Sequence, residues 1–268
     1  MTITEQKAFL RAYQGASPLD AACGGHWKAV LEDCRPQVTA KSLPFGNAQG
    51  IYEMLTITDQ GRTLKARCIR PDSDGKHPLV LLYHDLNRAV RGWHHMTRFL
   101  ALGYGVVAPE AAPFREDWRK EPTAANFRQR YRDALTVGKA AIALPWVDSA
   151  RVVTFGEGLG GGLAILNAAL LPCAPRCAAL HPMPADLSDP GLEGMEKLDL
   201  KNLAPLCKSP LLLGTCLMDT YAPPKGQAAI YNNLQCEKQW NIYPKYAHER
   251  VNFFENELVR FLVETEEI

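Results

Sequence analysis

Phe155-Gly156-Glu157-Gly158-Leu159-Gly160-Gly161-Gly162 decides how the rest of this chain is read. A strand-forming run, Arg151-Val152-Val153-Thr154-Phe155, enters it, and an apolar helix-forming run, Leu163 to Leu170, leaves it. Strand, sharp glycine turn and helix make the frame of a nucleophile elbow, Gly-x-Ser-x-Gly, whose turn lifts a serine hydroxyl above the end of a sheet. Gly158 stands at the serine's position. The frame suits acyl transfer, yet glycine has no side-chain atom with which to attack. Losing such a nucleophile costs about a millionfold in turnover, while oxyanion donors and binding keep about a thousandfold over water. Glycine accepts the turn's backbone without strain, so the fold is expected to survive the loss.

Outward from the elbow the pattern repeats. Short apolar runs at 79–83, 105–108, 152–155, 178–180, 211–215 and 240–243 predict strands. Helices are predicted around 92–102, 123–143, 159–171, 224–235 and 249–264, the last with Val251, Phe254, Leu258, Phe261 and Leu262 on one face. Apolar strands alternating with helices predict an α/β fold, a mostly parallel, doubly wound sheet with helices on both faces. Ahead of it, residues 1–50 read as a helical N-terminal arm, with Trp27, Val30, Leu31 and Cys34 at helical spacing and Asp20 as its cap. Residues 51–268 then form one domain, opening with a hairpin at 52–69 that turns at Asp59-Gln60-Gly61-Arg62. Segment 184–209 is irregular, a short helical excursion over the site.

Bulk properties exclude several classes. The 268 residues are 47% hydrophobic and 22% charged, with a formal net charge of +1, the balance of an ordinary globular protein. No basic run points to nucleic acid or an anionic membrane surface. No signal pattern opens the chain and no run is long enough to span a bilayer. Eight cysteines, several within apolar runs (Cys68, Cys177, Cys216), read as buried free thiols. Cys173 and Cys177 lack a second pair at zinc-like spacing. The expectation is a cytoplasmic protein with no metal and no cofactor. Gly156, Gly158 and Gly161 do satisfy Gly-x-Gly-x-x-Gly, but the match lies mid-chain and Ala179-Leu180-His181-Pro182 stands where the ribose-binding acid would be.

In parallel sheets the reactive groups sit on loops after the strands' carboxyl ends. Four such loops carry polar residues: His84-Asp85-Leu86-Asn87, the vacant elbow, Leu217-Met218-Asp219-Thr220, and Pro244-Lys245-Tyr246-Ala247-His248-Glu249. The order elbow, Asp, His is that of an acyl-transfer triad. Taken singly, Asp219 reads as a loop or capping acid and His248 as a packing residue; after successive strands, they read as a shared dyad. His84 reads as a structural hydrogen-bonding residue at a strand end, and His181 either lines the pocket or is an ordinary loop residue. Cys216, at the end of an apolar strand, and Glu157, pointing into the protein, do not replace the missing nucleophile.

Leu217 to Thr220 with Pro223-Pro224 and Tyr231-Asn232, and then Tyr243 to Glu249, resemble the acetyl xylan esterase and cephalosporin-C deacetylase family of α/β hydrolases. Gly103 to Pro109, Leu144 to Asp148, the triple glycine and His26-Trp27 are similar to the same family. The resemblance covers nearly the whole chain and implies an α/β-hydrolase fold. It implies that His248 is the base, Asp219 its orienting acid, Gly158 the vacated nucleophile position, and the N–H groups of Leu86 and Leu159 the oxyanion hole. It further implies a small ligand such as an acetylated sugar or other ester, and a homo-oligomer. Departures are Gly158 itself, Leu159 and Leu86 where the family usually carries glutamine and tyrosine, and Glu110-Ala111-Ala112-Pro113-Phe114 in place of the family's Asp-x-Arg-Gly-Gln loop.

Three functions follow. The first is a binding or regulatory member without serine-esterase activity, in effect a pseudoenzyme. The second is an enzyme in which the Asp219–His248 pair activates water or abstracts a proton from an ester or lactone. The third is a carbohydrate deacetylase deliberately deprived of its serine.

Overall fold

A computed structural model describes residues 2–45, 49–86, 92–110, 123–187 and 195–263. Its centre is a nine-stranded sheet: β1 Gln37–Ser42, β2 Gly50–Asp59, β3 Arg62–Pro71, β4 His77–Tyr83, β5 Gly105–Glu110, β6 Val147–Glu157, β7 Arg176–Leu180, β8 Leu211–Cys216 and β9 Lys238–Tyr243. The spatial order is β1-β2-β3-β5-β4-β6-β7-β8-β9. Strands β5, β4, β6, β7, β8 and β9 run parallel, and β1, β2 and β3 add an antiparallel edge. Among the described residues seven α-helices accompany them: α1 Ile3–Ala12, α2 Ala21–Asp33, α3 Trp93–Leu100, α4 Ala124–Ile142, α5 Leu159–Leu170, α6 Pro224–Asn233 and α7 Asn252–Val263.

Both sheet faces are covered, as continuous apolar strands require. On one face α2, α4 and α5 pack Trp27, Leu31, Phe127, Tyr131 and Leu166 against Leu79, Leu81 and Cys177. On the other, Met96 and Phe99 of α3 and Phe254, Leu258, Phe261 and Leu262 of α7 pack against Val80, Val106, Phe155 and Leu212. The alternation along β4 therefore sends odd and even residues into two separate cores. No helix among the described residues is long and apolar enough to cross a membrane.

Two expectations change. The N-terminal arm is not helical throughout: after α1 and α2 the chain forms β1, paired with β2 from Gln37↔Thr58 to Ser42↔Glu53. Its strand, Gln-Val-Thr-Ala-Lys-Ser, is mostly exposed, so it lacks the buried alternation that would announce it. Asp20 does cap α2, accepting from Ala22 N at 2.9 Å. The second change concerns segment 184–209. Its described part is three short 3-10 turns at 196–198, 200–202 and 204–206. They insert Leu198, Leu200, Leu203 and Ala204 into the core beside α2 and α5; residues 188–194 lie outside the described residues. Trp27 Nε1 donates to Lys197 O and Tyr131 OH to Leu198 O, which fixes them there. The altered loop expected after Pro109 falls within 111–122, outside the described residues, apart from Glu110.

All eight cysteines are free thiols, six of them buried. The hairpin and the other strand expectations match the observed elements.

Candidate active site

Five chain segments converge at the carboxyl ends of β4, β6, β7, β8 and β9. At the β6–α5 turn Gly158 has φ +56 and ψ −124, a conformation costly for any residue with a Cβ. Gly158 N donates to Leu180 O at 3.0 Å and its carbonyl accepts from Met183 N at 3.2 Å, so the elbow is tied to the end of β7. Gly156 and Gly160 approach so closely that a Cβ at 156 would strike the Gly160 backbone. The glycines thus serve strand–helix packing.

Asp219 follows β8. Its Oδ1 accepts from Tyr221 N and Ala222 N, each at 2.8 Å, and its Oδ2 faces His248 Nδ1 at 2.8 Å. The two loops that carry this pair are joined by backbone: Leu217 N donates to Tyr243 O and Met218 N to Tyr246 O. The expected dyad is therefore assembled. His181, fully buried after the end of β7, sets its ring 4.4 Å from that of His248 at a tilt of 34°, and Tyr221 flanks the imidazole at 4.8 Å. The His181 backbone has φ +37, and its N–H is held by Gly214 O at 2.8 Å. Such strain in a non-glycine residue concentrates at functional sites. His84 turns Nδ1 to the Asp85 carbonyl at 3.0 Å.

The residue that sequence reasoning missed is Asp85. Its carboxylate, 2% exposed, lies at the centre of the site. Oδ1 accepts from Leu86 N at 2.7 Å and from Leu159 N at 3.0 Å. Those are the two N–H groups expected to form the oxyanion hole; here both point at one oxygen of a protein carboxylate. Oδ2 sits 2.9 Å from His248 Nε2. A Cβ built on Gly158 would overlap this carboxylate. The sequence held one signal, an acid in the turn after β4, on a loop read as carrying an oxyanion donor, while Gly158 stands in the elbow.

His248 thus lies between two carboxylates. Burial pulls it toward the neutral form, but hydrogen bonds and charge from Asp219 and Asp85 outweigh that and raise it to about 9. Burial likewise pushes the Asp85 carboxyl up, and the His248 hydrogen bond and charge, with the Leu159 N–H, reverse this and leave it lowered. At neutral pH these directions make Asp85 a carboxylate and His248 an imidazolium. A protonated imidazole is no general base. Burial pushes the Cys216 thiol up to about 12, which removes it as a nucleophile.

His181, Asp219 and His248 bring one ligand atom each within 4.8 Å of one another. Since both His248 nitrogens already meet carboxylates, a cation would have to displace the Asp219–His248 hydrogen bond. A dinucleotide phosphate at the start of α5 would meet the Asp85 carboxylate where Leu159 N–H points, which argues against the glycine-rich turn as a cofactor cradle.

A parallel sheet flanked by helices, an elbow after β6, an acid after β8 and a histidine after β9 define an α/β hydrolase. The sequence profile of the acetyl xylan esterase (AXE1) family matches residues 5–112, 119–189 and 191–265. The chain belongs to that family. It is similar in structure to acetyl xylan esterase 1 from Thermoanaerobacterium sp. JW/SL YS485, with a TM-score of 0.86 and 25% identity over 100% of this chain and 99% of that one. An acetyl xylan esterase from Paenibacillus sp. R4 superposes at a TM-score of 0.84 with 18% identity, over 98% and 99%. A cold-adapted esterase from an Arctic intertidal metagenomic library shares the fold at a TM-score of 0.65 with 15% identity, over 85% and 98%.

Proposed function

We propose that this protein is a pseudo-esterase: a member of the acetyl xylan esterase family that has left serine chemistry and binds a small polar molecule instead of cleaving it. The observation that carries this reading is the Asp85 carboxylate, seated on Leu86 N–H and Leu159 N–H beside Gly158. Three requirements of acyl transfer fail together. Gly158 has no hydroxyl, the donors meant for a substrate oxyanion are engaged, and His248 carries a proton at neutral pH. By family likeness the bound molecule is an acetylated sugar or related ester, recognised beside the His248 imidazole, and a homo-oligomer is part of the same reading.

Water activation by the Asp219–His248 pair is less well supported, because it needs an imidazole free at Nε2 and that nitrogen faces Asp85 at 2.9 Å. Purified protein tests the reading. With p-nitrophenyl acetate and an acetylated xylo-oligosaccharide, hydrolysis stays at background, a fluorophosphonate leaves the chain unlabelled, and the oligosaccharide still shifts the melting temperature. Covalent labelling, or acetate release that disappears in His248→Ala, contradicts it.

A further inference from the structure

We propose that the outer edge of β9 is an interface for a second copy of this chain, the two β9 strands pairing antiparallel across a two-fold axis. The proposal rests on the pseudo-esterase reading only for the expectation of a homo-oligomer, and it gives that oligomer a surface. Strand β9 ends the sheet, with β8 on one side and no strand among the described residues on the other. Two backbone bonds at the ends of the β8–β9 ladder fix which groups face outward. Leu211 N donates to Glu237 O at 2.9 Å and Leu217 N to Tyr243 O at 3.1 Å. In a parallel ladder, residues that turn both N–H and C=O to the neighbour alternate with residues that turn both away. The register runs unbroken from Leu211↔Lys238 to Cys216↔Tyr243, so Gln239 and Asn241 also serve β8. Lys238, Trp240 and Ile242 present their main-chain groups to the open edge. The Lys238 carbonyl meets the Tyr231 hydroxyl at 3.5 Å. Among the described residues no such bond reaches the main chain of Trp240 or Ile242 on that side.

A row of this kind templates another strand unless it is guarded by charge, proline or a bulge. At the opposite edge β1 carries Lys41 and stands between Pro36 and Pro44. Strand β9 has a proline only beyond Tyr243, and its one charged side chain is drawn back: Lys238 Nζ donates to Tyr231 O at 3.1 Å and Leu234 O at 2.9 Å. Every residue of β8 is buried, whereas every residue of β9 is at least partly exposed. The occupant follows from symmetry. With the axis at Trp240, Trp240 lies opposite the partner's Trp240 and Ile242 opposite the partner's Lys238, all of them residues whose main-chain groups face outward. On the other face Gln239 lies opposite the partner's Asn241, amide against amide. Residues 239–242 carry no charge, so no like charges meet. An isologous contact requires this self-complementarity, and a foreign strand does not. The edge is also held in place beforehand. Trp240 stacks on Tyr231 at 4.5 Å and donates from Nε1 to Thr215 Oγ1 at 2.9 Å. On the same face Trp240 and Ile242 pack with Leu10 and Tyr13 of α1, which lowers the ordering cost of association.

Sedimentation velocity of the full chain over a range of concentrations tests the surface and its register. Wild type should run as a dimer or a multiple of one. Gln239→Lys with Asn241→Lys sets like charges opposite each other twice and should raise the dissociation constant of the pair by about tenfold or more. Gln239→Lys with Asn241→Glu sets opposite charges there and should bring the association back. Ile242→Pro removes an outward N–H without touching the β8 ladder and should weaken the pair by a similar factor, while Ile242→Ala, which keeps that N–H, should not. Circular dichroism melts confirm that each variant is folded. A wild type that stays monomeric overturns the proposal, as does an oligomer indifferent to the paired lysines, or one that Gln239→Lys with Asn241→Glu fails to restore. None of these variants alters Asp85, Gly158 or His248, so acetate release and fluorophosphonate labelling judge the pseudo-esterase reading separately.

Discussion

The carboxylate of Asp85 occupies the volume into which a side chain on Gly158 would grow, and Asp85 Oδ1 accepts from the N–H of Leu159, the residue next to that glycine. The two positions are therefore coupled. Glycine at 158 makes room, and Asp85 fills the room with the one group that satisfies both backbone donors and the imidazole at once.

Coupling of this kind is measurable in urea melts. Gly158→Ala alone should cost about 2–4 kcal/mol, combining a positive-φ penalty with overpacking against Asp85. In an Asp85→Gly background the overpacking part vanishes, so a double-mutant cycle should give a favourable interaction of about 1–3 kcal/mol. Strictly additive effects would mean that the carboxylate does not fill this space.

Replacing Asp85 by Asn should also release the imidazole. With only Asp219 opposing burial, the His248 titration should fall from about 9 by about one unit or more. Imidazole NMR shifts against pH in wild type and variant give the answer, and an unchanged midpoint would remove Asp85 from the account.

The same charges set a pH dependence. His248 is raised above its unfolded value near 6.5 to about 9, so its contribution is complete below 6.5 and is lost as pH rises through 9. Asp85 is lowered, so its contribution is present above the ordinary carboxylate range and is lost as pH falls through its folded value. Stability from this cluster should therefore be greatest between about pH 4 and 6.5 and decline by roughly a few kcal/mol toward pH 9 to 10. In Asp85→Asn the alkaline decline should shrink; calorimetry across that range measures it.

Away from the site, Lys201 is buried between Asp186 at 3.5 Å and Asp199 at 3.4 Å and donates to Ser17 Oγ at 2.7 Å. Tyr13 OH donates to Asp186 Oδ2 at 2.6 Å, so this group fastens the N-terminal arm. Lys201→Met leaves two buried carboxylates facing each other and should cost about 3–5 kcal/mol. Adding Asp199→Asn should recover part of the loss, which denaturation midpoints would reveal.

Most of the fold could be read from the chain because its strands are buried on both faces and so appear as unbroken apolar runs, as at Leu211-Leu212-Leu213. Strand β1 could not, since its side chains are solvated and only pairing with β2 orders them. In the site, Asp219 and His248 were legible from their place after successive strands. Asp85 showed only its place in the turn after β4; its role comes from partners distant in sequence, Leu159, His248 and the space over Gly158. A motif records what stands at its own positions. It does not record which distant side chain fills the space beside them.

The most direct measurement is hydrolysis of p-nitrophenyl acetate by four proteins: wild type, Gly158→Ser, Asp85→Gly and the double variant. Oxyanion donors are freed and a hydroxyl supplied only when both positions change, so the double variant alone should gain activity, about a hundredfold or more above the others. Comparable activity in Gly158→Ser by itself, or in wild type, would contradict the placement of Asp85 at the heart of this site.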